Sequence, residues 1–210
     1  MIDDEAAARG LLLKLGDEAA LARLDRFVEL LCEENDRQNL VSKTSLAQVW
    51  RRHIADSAQL LRHVPRETSP WLDLGTGAGF PGLIIAAMRP GWDIRLVESR
   101  KKRVEWLDRV NQELGLTSCR VIGARLEDVE SVPAGVISAR AFAPMVKLLA
   151  LSQRFSTAET VWLLPKGRSA AHELRQLAPD MRRLFHVEQS QTDPESGIIV
   201  GSGVGKRGTQ

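Results

Sequence analysis

The chain has 210 residues, 43% of them hydrophobic, and a formal net charge of +2. That length suits one α/β domain with a small extension, and that composition argues against a chain disordered throughout. So small a net charge gives no case for nucleic-acid binding from composition, and two cysteines without a CxxC spacing, Cys32 and Cys119, give none for a metal or redox site.

Residues before about Pro70 read as helical. The start, MIDDEAAARG, is acidic and carries no signal-peptide pattern. No apolar run approaches the length of a membrane span, so a reduced, cytoplasmic protein is expected. Ala20–Cys32 places Leu21, Leu24, Phe27, Val28 and Leu31 on one stripe, and Ser45–Val64 does the same with Leu46, Val49, Trp50, Ile54, Leu60, Leu61 and Val64. Between them NDRQNLVSKTS reads as a polar link. Residues 1–66 are therefore expected to form a helical cap, 67–203 the main domain, and 204–210 a loose tail.

From Pro70 onward strands alternate with helices, which implies a parallel sheet with right-handed crossovers. The predicted strands are Trp71–Leu74, Ile94–Val97, Arg120–Ile122, Val136–Ser138 and Thr160–Leu164, then a weaker pair, Leu184–Glu188 and Ile198–Gly201. The helix after Glu98 has Ser99 as its expected cap, an apolar line of Val104, Leu107 and Leu114, and Gly115 as its stop.

The segment Trp71–Gly82, WLDLGTGAGFPG, is the most informative. An apolar strand ends beyond Asp73, then Gly75, Gly77 and Gly79 alternate before the helical Leu83–Met88. Glycine lets the main chain turn through positive φ and approach a ligand closely. A dinucleotide fingerprint wants G-x-G-x-x-G, but counting from Gly75 its last position is Phe80. The variant suits S-adenosylmethionine, which has no pyrophosphate to seat at a helix N-terminus. Glu98, ending the second strand about 20 residues past the glycines, suits a ribose diol and argues against a ribose phosphate.

These residues closely resemble the RsmG (GidB) family of bacterial ribosomal RNA methyltransferases, from about Asn35 to about Gly167. The matching pieces are NLVS with RRHIADS, DLGTGAGFPG, ESRKKRVEWL, ARLED, ISARAFAP with one extra residue at Ala139, and LLPKG. The C-terminal part matches poorly, and no function is carried over to it. The resemblance implies an α/β fold, a Rossmann-like class I methyltransferase. Its sheet would be mostly parallel and seven-stranded, with helices on both faces and an N-terminal helical cap. It implies N7 methylation of a guanine in small-subunit (16S) ribosomal RNA, free or within the assembled 30S subunit. Separately, a monomer without metal is expected.

The cofactor residues implied are Gly75, Gly77, Gly79, Phe80, Glu98, Leu126, Glu127 and Arg140. Glu127 and Asp128 are adjacent, and sequence does not separate them as the group facing the adenine. Arg140, at the end of the fourth strand, is the expected activity-critical side chain, acting by positioning. It would pair with the methionine carboxylate or with an RNA phosphate.

His53, Lys101 and Lys166 are the candidate substrate contacts, each set against a bland alternative: an inward hydrogen-bonded His, a solvated helix Lys, a solvated turn Lys. His53, Asp56 and Ser57 are too close along one helix to form a nucleophile–base–orienter triad. Basic clusters at Arg51-Arg52, Arg100–Arg103, Arg182-Arg183 and Lys206-Arg207 are the local patches available to RNA. Guanine N7 bears a lone pair and no proton, so the chemistry needs no general base. The rival readings are a methyltransferase of small molecules or proteins, a nicotinamide-dependent oxidoreductase, and a non-catalytic RNA-binding module.

Overall fold

The computed structural model describes residues 1–65 and 68–204. The last residues, including Lys206-Arg207 and most of the expected tail, lie outside the described residues.

Helix α1 (Glu5–Leu15) starts where the Asp4 carboxylate accepts the Ala7 N–H. Helix α2 (Glu18–Gln38) starts in the same way, from Asp17 to the Ala20 N–H. It buries Leu24, Phe27, Leu30 and Leu31, the predicted stripe. It also continues six residues past Cys32, through the first four residues of the expected polar link. The polar residues there are used internally: Glu34 accepts from Arg109 at 2.9 Å, and the Asn35 side-chain Oδ1 accepts the Val41 N–H at 2.8 Å. The helix ends at Asn39, whose φ of 48° is left-handed.

The second predicted helix is not one helix. It divides into α3 (Lys43–Leu46), a π-helical segment Trp50–Ala55, α4 (Asp56–Ala58) and a 3-10 turn Gln59–His63. The cause lies far away in sequence. The Glu5 carboxylate accepts the N–H groups of Trp50 and Arg51, at 3.0 and 2.9 Å, and so starts a new segment there. The predicted apolar positions Val49, Trp50, Ile54, Leu60 and Leu61 are buried all the same.

The sheet then forms from β1 (Trp71–Leu74), β2 (Ile94–Glu98), β3 (Cys119–Gly123), β4 (Val136–Ser138), β5 (Val161–Gly167), β6 (Phe185–Gln189) and β7 (Gly197–Ser202). Their order is β3-β2-β1-β4-β5-β7-β6. The first five pair in parallel, and β7 runs antiparallel to both β5 and β6. Helices α5 (Gly82–Met88), α6 (Lys101–Glu113), α7 (Met145–Ser152), α8 (Ala170–Arg175) and α9 (Pro179–Arg182) fill the connections. Every residue of β1 is buried, as expected for a central strand covered on both faces.

One apolar cluster joins Leu12, Leu24, Phe27 and Ile54 to Leu83, Ile84 and Trp106, so the N-terminal helices share a layer with α5 and α6. The second cluster, around Leu74, Ile137, Leu148, Phe155 and Trp162, lies under α7 and α8. Ser99 does not cap α6. Instead Glu98 accepts the N–H groups of Ser99 and Arg100 at 2.8 and 2.9 Å. Gly115 does end that helix, at φ 63°.

Candidate active site

The glycine turn follows β1 at the carboxyl end of the sheet, beside the point where strand order reverses between β1 and β4, the usual ligand position in such sheets. Gly75 and Gly77 have φ of 65° and 61°. A Cβ on Gly75 would lie 2.4 Å from the Phe142 ring, so this position admits no side chain without displacing the cavity wall. Asp73 anchors the turn from below. Its fully buried carboxylate accepts the Gly82 N–H at 3.0 Å and the Ser138 hydroxyl at 2.7 Å, and that hydroxyl accepts the Trp71 indole N–H at 2.8 Å. One side chain thus joins β1, the start of α5 and the end of β4. Burial, only partly offset by these hydrogen bonds, raises the Asp73 carboxyl to about 6.

A cavity of about 380 Å³ opens above the turn, lined in part by Gly75, Gly77, Phe80, Glu98, Leu126 and Arg140. Glu98 is fixed within it by three main-chain donors: the Gly77 N–H at 3.0 Å and those of Ser99 and Arg100. Val97, Ala124 and Leu126 give it an apolar wall, and Arg100 and Arg103 stand at its side. Two expected cofactor residues fall outside the lining. Gly79 packs against α5, where a Cβ would meet Leu83 at 2.7 Å. Glu127 points outward, half exposed, to Arg125 at 3.7 Å, and Asp128 is exposed too, so neither side chain lines the cavity.

Arg140 stands between this cavity and a second of about 360 Å³, and a third of about 490 Å³ also meets it. Its guanidinium lies 4.7 Å from the centroid of the Phe80 ring, 3.2 Å from His53 Nδ1 and 3.8 Å from Asp56 Oδ2. The His53 ring stacks on Phe80 at 4.8 Å. A guanidinium only donates, so Nδ1 accepts and the imidazole proton sits on Nε2. Burial first, then the charges of Arg140 and Arg52, lowers His53 to about 3. Burial lowers Arg140 against the opposing pull of Asp56, and raises Asp56 against that of Arg140. Ala139, the extra residue in the matching segment, is buried, and Arg140 still reaches the site. The next residue, Ala141, turns the chain at φ 53°.

A model of one protein family, described as rRNA small subunit methyltransferase G (GidB), matches residues 20–196. The chain belongs to this family. It is 58% identical over 206 residues to the ribosomal RNA small subunit methyltransferase G of Erythrobacter litoralis, covering 98% of this chain and 100% of that one. It is 58% identical over 188 residues to that of Novosphingobium aromaticivorans, covering 88% and 81%. Among solved structures, a SAM dependent methyltransferase from Aquifex aeolicus superimposes with a TM-score of 0.55 at 12% identity, over 80% of this chain and 96% of that one. M. jannaschii TYW2 in complex with AdoMet does so with a TM-score of 0.52 at 15% identity, over 72% and 74%. The sheet is therefore the class I methyltransferase fold.

The GidB match corrects the extent of the resemblance, which in sequence stops near Gly167. It reaches residue 196, and so includes the β6–β7 connection, which lines the second cavity with Ser190, Thr192 and Asp193. Thr192 donates to Asp56 Oδ1 at 2.8 Å, from 136 residues further along the chain. Nothing in the local sequence signals that contact. Ser57 turns its hydroxyl back to the His53 carbonyl at 2.7 Å, away from any triad. Lys101 is almost fully exposed and lies 3.9 Å from Glu105. Lys166 is neither solvated nor free for a phosphate: its ammonium, nearly buried, pairs with Glu173 at 2.9 Å and donates to the Ala143 carbonyl at 2.7 Å. Its sequence position at a strand end marked the right rim of the sheet, but α8 supplies an acid that neutralises it.

Proposed function

We propose that this protein transfers the methyl group of S-adenosylmethionine to N7 of a guanine in small-subunit ribosomal RNA. The observation that carries the reading is Glu98, a carboxylate fixed by three N–H donors beside the glycine turn in a cavity of about 380 Å³. A carboxylate so placed suits a ribose diol, and a volume of this order suits a ligand of nucleoside size. The apolar wall of Val97, Ala124 and Leu126 suits an adenine ring. Gly75 and Gly77 let the main chain run close under the rest of the cofactor, and no phosphate has to be seated there.

S-adenosylmethionine, when bound, supplies a methyl group on a positively charged sulfur. The chain's own task is then alignment and exclusion of water, since N7 has no proton to lose. His53 agrees with this: its ring is neutral, lowered to about 3, and its acceptor nitrogen is engaged by Arg140, so it is no general base at neutral pH. Arg140 positions groups between the two cavities. Arg100 and Arg103, with Lys101 outside them, offer a basic rim to the RNA backbone. Among the described residues no helix is long and apolar enough to cross a membrane. A cytoplasmic monomer acting on free RNA or on the 30S subunit completes the reading.

The test is transfer of labelled methyl to unmodified small subunits and, separately, to protein-free RNA, mapped by strand scission specific for N7-methylguanine. Label at one guanine is the expected result. Absence of transfer to either substrate while S-adenosylmethionine still binds overturns it, and binding of NADH in place of S-adenosylmethionine overturns the cofactor reading.

A further inference from the structure

The second cavity holds a carboxylate whose two oxygens are treated differently. Asp56 Oδ1 accepts from Thr192 Oγ1 at 2.8 Å and from Gln59 Nε2 at 2.9 Å. Both bonds that the carboxylate accepts within 3 Å end on that oxygen. Oδ2 faces Arg140 at 3.8 Å, outside hydrogen-bond reach. Gln59 is itself held, by the Ser190 hydroxyl at 3.2 Å and by the Gln191 N–H at 2.8 Å. The carboxylate is therefore clamped from both the N-terminal segment and the β6–β7 connection, with one oxygen left toward the cavity. Beside it, the Arg140 fork has one N–H on His53 and no further hydrogen bond among the described residues.

An oriented acceptor and an oriented donor fork thus stand about 4 Å apart in a cavity of about 360 Å³, next to the cofactor cavity. Of the four RNA bases only guanine carries two adjacent donors, N1–H and N2–H, followed along one edge by an acceptor, O6. Beyond O6 on the same ring system comes N7. If the donors meet Asp56 and O6 meets Arg140, N7 is directed past Arg140 to the first cavity.

We propose that Asp56 recognises the target base as guanine, its Oδ2 accepting from N1–H and N2–H of a base extruded into the second cavity. Thr192 and Gln59 act as positioning residues by occupying Oδ1. This rests on the methyltransferase reading above. Extrusion is required because a paired guanine spends N1–H and N2–H on its partner base and cannot offer them together with N7 to such a pocket.

The test uses the full-length protein and small subunits assembled on RNA that carries either guanosine or inosine at the mapped position. Inosine keeps N1–H, O6 and N7 and lacks only the 2-amino group. The wild type is expected to prefer guanosine in kcat/KM by roughly tenfold to a hundredfold, the usual range for a hydrogen-bonded base edge. Asp56→Asn is expected to reduce transfer to guanosine far more than to inosine, bringing the preference to within about threefold of unity, a coupling between one side chain and one amino group. Thr192→Val, which keeps the charge and frees Oδ1, is expected to shrink the preference in the same direction, and it serves if Asp56→Asn does not fold. Calorimetric binding of S-adenosylmethionine reports whether each variant keeps its cofactor site. Absence of a guanosine preference in the wild type, or equal losses on both substrates in the variants, overturns the assignment. Absence of wild-type transfer to either substrate, with cofactor bound, refutes the underlying rRNA methyltransferase reading instead.

Discussion

Replacing Asp73 by Asn removes a charge that the fold buries without a counter-ion in contact, and its effect on stability should depend on pH with an unusual sign. The folded carboxyl sits at about 6, against 3.8 for the free group, so between these values the folded chain holds a proton that the unfolded chain releases. Stability from this group is therefore greatest below 3.8 and is lost as pH rises through 6. The ratio of the folded to the unfolded proton-binding factor is about 10 at pH 5 and about 1 at pH 7.5, a loss of roughly 1.4 kcal/mol for the wild type over that interval.

Asn carries no such dependence. Its Oδ1 can accept the Gly82 N–H, and its amide can donate to Ser138, at the cost of leaving the serine proton without its present acceptor. Urea unfolding at both pH values, followed by the fluorescence of the buried Trp71, Trp106 and Trp162, measures the difference. His53 and the surface carboxylates titrate in both proteins and cancel. The stability of Asp73→Asn relative to wild type should improve by about 1.4 kcal/mol from pH 5 to pH 7.5. A relative stability that stays constant within about 0.5 kcal/mol, half of an ordinary hydrogen-bond contribution, would refute the account of this carboxylate.

Glu98→Gln turns an amide N–H toward one of three main-chain donors and removes the charge offered to the ribose; the expected weakening of S-adenosylmethionine binding is about 2 kcal/mol, roughly thirtyfold by calorimetry. Binding within twofold of wild type would separate Glu98 from the cofactor. Ala141→Gly relieves a left-handed conformation, and should raise the melting temperature by about 2–4 °C for about 1 kcal/mol gained in a chain of this size. No rise, or a fall, on a thermal scan would show that Ala141 is unstrained. His53 should remain neutral, with its proton on Nε2, in nitrogen-detected NMR spectra down to pH 5. The free group titrates at 6.5 and the folded one at about 3, so its share of stability is complete above 6.5 and is lost as pH falls; a titration near 6.5 would contradict its burial beside Arg140.

The sheet was legible because its central strands are short apolar runs between turn signals, and β1 and β4 lie at their predicted residues. Edge strands and boundaries shifted by a few residues, as they do where pairing rather than composition sets the end. The N-terminal half was legible in its buried positions but not in its backbone. Periodicity records which face is apolar; it does not record that Glu5 will take the first N–H groups of a segment 45 residues later. The same limit governed the site. Glu98, the glycines and Arg140 belong to local patterns that name their own chemistry. Asp56 with Thr192, and Lys166 with Glu173, are defined by partners on other elements, so a reading of Lys166 as a phosphate contact from its place at a strand end could not see its ammonium already engaged.

That division also bears on how a common fold acquires a particular substrate. The two solved structures that superimpose on this chain do so at 12% and 15% identity, so what they share is the fold and not its side chains. Here the glycine turn, Asp73 and Glu98 all lie on β1, β2 and their connections, within that shared sheet. Arg140 follows the sheet closely, two residues past the end of β4, but its partners come from elsewhere. His53 and Asp56 come from the irregular N-terminal segment, and Thr192 from the β6–β7 connection. The second cavity is therefore lined by the N-terminal segment and the β6–β7 connection together, with Arg140 between it and the first. A straight α-helix through residues 45–64 would space His53 and Asp56 by the ordinary 3.6-residue turn, whereas the π-helical segment, begun by Glu5, changes their angular spacing. Glu5 touches neither cavity, but its carboxylate holds the start of the segment that carries both His53 and Asp56. A substitution at Glu5 should disturb substrate transfer while leaving cofactor affinity near wild type.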